Sequence, residues 1–202
     1  MISESYYWKS ELIKYATFIE KSQCNKKRWT SVQYGNLEKN VMIGFYIIRK
    51  LIESHKLTNK IASTNIRGTK FKLIKAGIHH FNNYHLDEFY DLENPLDATF
   101  ALDFLINQFI HSFIFCPIID VKNEKPRRKY ILMALLFTSD SKKDYLYKID
   151  INEVINLFKV VGNCNVTSIH WKYNPKKNHS SIVTSDVVQE IPETILKLIQ
   201  ED

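Results

Sequence analysis

Two short runs set cations beside an aromatic ring: Lys26-Lys27-Arg28 followed by Trp29, and Arg127-Arg128-Lys129 followed by Tyr130. Cations that neutralise phosphates and a ring on which a base can stack are the two components of a single-stranded nucleic-acid surface. Lys26, Lys27, Arg28, Trp29, Arg127, Arg128 and Lys129 are therefore the candidate nucleic-acid contacts. The same pattern also describes a solvated loop whose aromatic opens the next buried element. A second group could move protons. Asn107 and His111 lie one helical turn apart with Ser112 adjacent, and an imidazole titrating near neutral pH suits general acid or base work. Arg49 and His55, six positions apart, stand at the end of a helical stretch, where such residues also complement the helix dipole. His79, His80 and His85 are of metal-ligand type, but a zinc site takes three or four convergent ligands, so no metal and no cofactor is expected.

The chain has 202 residues, 45% hydrophobic and 25% charged, enough apolar material for one core. Its net charge of +6 is unevenly spread: residues 1–75 carry 15 Lys and Arg against 5 Asp and Glu, residues 76–202 carry 13 against 17. A basic half favours nucleic acid, an anionic membrane surface or an acidic protein as partner. The opening residues lack the basic flank and apolar run of a signal peptide. The apolar stretch from Phe100 to Ile119 is interrupted by Asp103, Asn107, Gln108, His111 and Pro117, so it reads as a buried helix and not as a membrane span. Cys24, Cys116 and Cys164 are an odd number without paired spacing, as in a reducing compartment. A cytoplasmic location with no membrane contact is expected. Phosphate-binding glycine loops, dinucleotide fingerprints, nucleophile elbows and zinc-protease helices are all missing from the sequence.

These residues need elements to hold them. Apolar spacing of three and four predicts a helix over Tyr6 to Ser22, capped by Ser3 or Ser5, and a longer one over Trp29 to Leu57 stopped at Thr58-Asn59. Phe71 to Lys75 reads as a short strand and Phe89 to Leu92 as a weaker one. Pro95 starts a central helix from Leu96 to Phe113. Tyr130 to Ser139 and Tyr145 to Ile149 read as a hairpin, Asp150 or Asn152 caps a helix to Val160, Asn165 to Tyr173 is a strand, and Pro192 to Glu201 a terminal helix. The expected fold is one α+β domain over 1–202, with a helical basic part at 1–60 and a mixed sheet and helix part at 61–202. In it an N-terminal helical pair and a central buried helix pack with a roughly four-stranded antiparallel or mixed sheet.

Asn107-x-x-x-His111 resembles the end of the HEPN ribonuclease motif, in which an arginine, commonly followed by a polar residue, precedes the histidine, and paired motifs across a dimer cleave RNA. Ile106 stands where the family has that arginine, whose charge is expected to help stabilise the scissile phosphate, so the resemblance implies an inactive relative. Arg49 to His55 matches the same spacing. The Trp8-Lys9-x-Glu11-Leu12 opening, the Gly44 to Glu53 segment and the Phe137-Thr138-Ser139-Asp140 turn are similar to small bacterial proteins found beside mobile elements or phage-defence genes. The resulting expectation is a non-catalytic accessory subunit of a bacterial antiviral-defence or mobile-element system, binding a protein partner in a multi-subunit complex, DNA or RNA, or both. The alternatives are a metal-independent ribonuclease using His111 or His55, and a structural protein that assembles into a homo-oligomer.

Overall fold

The computed structural model describes residues 2–25, 28–124, 127–174 and 179–186. Its first helix, α1 (Ser5–Ser22), buries Leu12, Ala16 and Ile19. Glu4 takes the N-cap position without a side-chain bond, so neither expected serine caps it. The second helix, α2 (Ser31–Glu53), opens with a capping box: Thr30 Oγ1 accepts from the Gln33 N–H at 3.3 Å, and Gln33 Oε1 accepts from the Thr30 N–H at 2.8 Å. Two donors that helix geometry would orphan are thereby satisfied. The helix ends earlier than expected, at a left-handed residue. His55 has φ 53°; its N–H reaches the Ile52 carbonyl, and the Lys56 N–H reaches that of Leu51. That double bond pattern is a Schellman turn. Thr58 then caps a separate short helix, α3 (Asn59–Ala62).

The strands are β1 (Cys24–Asn25), β2 (Asn65–Lys72), β3 (Leu96–Ala101), β4 (Ser112–Glu124), β5 (Arg127–Ser139) and β6 (Tyr145–Asp150). All their pairings are antiparallel, in the order β4-β5-β6-β2-β3, with β1 on β5 beyond the end of β6. The fold is α+β. The sheet has six strands where about four were expected, and a separate hairpin of β7 (Ser168–Asn174) and β8 (His179–Ser185) stands apart from it.

The largest departure from expectation is the central helix. Residues 96–113 divide into β3, the short helix α5 (Leu102–Ile110) and the start of β4. Leu96, Ala98 and Phe100 alternate with Asp97 and Thr99 at the period of a strand, and a continuous apolar run that follows cannot be resolved by periodicity. Residues 86–89 form one helical turn, α4 (Leu86–Phe89), and only the single bridge between Leu73 and Tyr90 remains of the weak strand expected there. The β5–β6 hairpin forms as expected, and Asp150 caps α6 (Ile151–Gly162) through the Asn152 N–H at 2.8 Å. The expected terminal helix lies outside the described residues.

One face of the sheet carries the helices. Phe45 of α2 stacks on Phe109 of α5 with centroids 4.3 Å apart, and Phe109 stacks on Phe137 of β5 at 4.5 Å, so a column of rings joins the layers. Gly44 lets α2 approach α6: a Cβ there would lie 2.2 Å from the Phe158 ring. Lys9 ties α1 to the end of α6 by donating to the Cys164 carbonyl at 2.7 Å, and burial lowers its pKa. A smaller cluster covers part of the other face, where Ile78, Leu86, Phe89 and Tyr90 lie over Phe71, Phe113, Ile114, Leu136 and Leu146. Among the described residues no helix is long and apolar enough to cross a membrane.

Candidate nucleic-acid interface

The β1–β5 pairing decides the geometry of the basic residues. Cys24 stands opposite Ile131 and Asn25 opposite Tyr130. The end of β1, three residues before Arg28, therefore lies beside the start of β5, where Arg128 and Lys129 precede Tyr130. Arg28 and the start of β5, about 100 residues apart in sequence, are thereby brought to one corner of the sheet. On the other side of β5, the β4 register adds a cation that sequence reading passed over: Lys122 stands directly opposite Lys129, with Asn123 opposite Arg128 and Glu124 opposite Arg127. The signal of Lys122 in the sequence is a cation near the end of a strand that must pair with a basic one.

Arg28, Lys122 and Arg128 are exposed and Lys129 is half-buried. Lys26 and Lys27 lie outside the described residues. Beside Arg28 the N-terminus of α2 opens, with no acidic residue in its first turn, so the helix dipole adds to the positive potential. Trp29 has a different role from the one its neighbours suggested. It is 5% exposed and packs on Tyr34 with centroids 5.5 Å apart. Immediately before the Thr30 cap, it is the hydrophobic staple of α2, and its ring is closed to a nucleobase. Tyr130 likewise packs partly against the main core. The corner therefore offers cations and backbone polarity, which engage phosphates, together with the exposed ring of Tyr34, which packs against Trp29. A stacked pair of exposed aromatics lies elsewhere, Trp171 and Tyr173 of β7, with centroids 6.2 Å apart. Their hairpin joins the other end of α2, where Thr184 Oγ1 donates to the Leu57 carbonyl at 2.6 Å. The 23-residue helix separates the two surfaces by roughly 35 Å.

The proton-transfer candidates are dispersed. His111 is the C-cap of α5 and its N–H bonds the Asn107 carbonyl at 3.1 Å. Both residues are exposed, and the buried polar residue of that helix is Gln108, whose Oε1 accepts from the Ser139 N–H at 2.9 Å. Arg49 is held by Glu53 at 2.8 Å on the surface of α2, and His55 forms the Schellman turn. Among the described residues no hydrogen bond or ion pair joins His55 or His111 to another of the candidates' side chains. His79 Nδ1 accepts from the Phe81 N–H, His80 packs edge-on against Phe113 and His85 lies 3.8 Å from Glu88. No group of three His, Cys, Asp or Glu able to hold a metal occurs among the described residues. Among the enclosed groups, burial pushes the Tyr90 hydroxyl up to about 12, raises Tyr147 and Cys116, and lowers Lys9. Tyr90 Oη donates to the Lys143 carbonyl at 3.1 Å, which fixes the covering loop.

Comparison with protein-family models, with curated proteins and with solved structures finds no match to this chain in any of the three.

Proposed function

We propose that this chain is a non-catalytic subunit that holds nucleic acid by its phosphate backbone, at the corner where β1, β4 and β5 meet. The reading rests on one observation, the β1–β5 register that sets the end of β1, three residues before Arg28, against the basic start of β5, with Lys122 across β5 from Lys129. The surrounding chemistry supports it. Exposed guanidinium and ammonium groups contact phosphates without reading base identity, and the enclosed Trp29 leaves binding indifferent to sequence. Strand and helix ends hold the cations, so little ordering entropy opposes binding.

The test is the salt dependence of binding to a fluorescein-labelled 20-nucleotide single strand, DNA and RNA in parallel, followed by anisotropy. With four cations engaged, the logarithm of the association constant should fall by about 3 per decade of salt. Replacing Arg28, Lys122 and Arg128 together by glutamate should weaken binding by about 100-fold or more at low salt and flatten the slope. Unchanged affinity in that variant would sink the reading.

A further inference from the structure

The second surface lies three strands away and does not depend on the basic corner. β3 is the outermost strand of the sheet on its side and, among the described residues, pairs only with β2. The bond from the Leu102 N–H to the Thr64 carbonyl, 3.0 Å, fixes the parity of that ladder. Phe100, Ala98 and Leu96 exchange hydrogen bonds with β2, and the N–H and C=O groups of Asp97, Thr99 and Ala101 turn outward. Among the described residues the outward groups of Asp97 and Thr99 have no partner, while the Ala101 carbonyl opens the helix α5 as its N-cap.

The edge is flanked by a cavity on each face of the sheet. On the helix side, a space of about 540 Å³ lies beside Ala98, walled by Phe104, Tyr145 and Tyr147, with the Lys70 ammonium 4.6 Å from the Tyr145 ring. On the opposite side, a space of about 440 Å³ is lined by Arg67, Asp97 and Thr99. Both spaces adjoin the same three residues, Asp97, Ala98 and Thr99. An added strand points its successive side chains to opposite faces, so its neighbouring residues would enter one cavity and then the other.

We propose that the free edge of β3 accepts an extended segment of a different protein as an added strand. The segment carries a large apolar or aromatic residue for the Phe104–Tyr147 cavity and, next to it, an acidic residue for Arg67. Main-chain bonds supply affinity in such pairing and the side-chain pockets supply selectivity. The acidic preference follows from charge: Arg67 has no ion pair among the described residues and Lys70 contacts only a ring. A second copy of this chain is the poorer occupant. Its own β3 would present Ala98 and Phe100 on the helix side, and Phe100 is 4% exposed, already committed to its own core, so the larger cavity would stay unfilled.

The experiment uses the full chain and a displayed library of random nine-residue peptides. The affinities of enriched peptides are then measured by fluorescence anisotropy on wild type, Thr99→Pro and Ala98→Trp. Thr99→Pro removes an outward N–H that the fold does not use, and Ala98→Trp fills the helix-side cavity. Enrichment of alternating apolar and acidic residues, with binding weakened about tenfold or more by either variant, is the expected result. The proposal is overturned by a library that yields no such peptides, by peptides that bind both variants as well as wild type, or by sedimentation that finds a wild-type dimer dissociated by Thr99→Pro. Because no nucleic acid is present, this outcome is separate from that of the basic corner. Should Thr99→Pro fail to fold, Ala98→Trp and a Phe104→Ala variant carry the same test.

Discussion

The two outer strands of the sheet meet solvent in opposite ways. β4 carries Pro117 near its middle, breaks register between Ser112 and Ile114 and again between Ile118 and Ile119, and has its Phe113 carbonyl taken by the Asn83 side chain at 3.2 Å. The covering loop lies over its Phe113 and Ile114. β3 has six consecutive regular pairs, no proline, no lysine and no cover from that cluster. Proline, bulges and covering loops are the devices by which proteins stop sheet edges from pairing with other chains. They gather on β4. The difference teaches that this protein can protect an edge, which makes the uncovered one informative, although the shortness of β3 and the charge of Asp97 temper it.

Three perturbations bear on that contrast. The largest is alkaline pH. Tyr90 has a folded-state pKa near 12 against an ordinary value of 10.0. Its neutral form is therefore favoured by folding, and the stability it contributes is complete below pH 10 and is lost as pH rises through 12. The full effect is on the order of 2–3 kcal/mol. Hydrogen exchange across that window should find the cover of β4 loosening while the β2–β3 ladder persists; simultaneous loss in both would break the comparison. Gln108→Ala comes next. It leaves the buried Ser139 N–H without its acceptor at the far end of the β4–β5 pair, at a cost of about 1–3 kcal/mol by chemical denaturation. A value near zero would mean that water or backbone replaces Gln108. The smallest effect on stability is that of Pro117→Val, expected within about 1 kcal/mol. Its informative readout is light scattering: self-association should increase if the proline guards the edge, and no change would leave the bulges and loop as the effective guards.

Legibility in the sequence followed the range of the interaction that decided each element. The Asp150 cap and the β5–β6 hairpin are set by residues a few positions apart and were readable; the capping box of Thr30 and Gln33 is as local and was passed over. The segment from Leu96 to Glu124 was not, because strand, helix and strand there share one apolar run and only the pairing of β3 with β2 and of β4 with β5 divides them. The basic clusters were visible as compositions, whereas their adjacency depends on two residue pairs between β1 and β5. Trp29 was read with its cationic neighbours; its position before Thr30 and five residues before Tyr34 already carried the signal of a staple.

The β1–β5 contact also has a consequence for stability. It closes a loop of about 100 residues with a strand only two residues long. Closing so long a loop carries an entropy cost that grows only slowly with length, so a polyanion spanning Arg28 and the start of β5 would work as a reversible crosslink at that contact. The apparent melting temperature would then depend on polyanion concentration by mass action. Either cluster alone, on a fragment severed from the other, would lose that linkage.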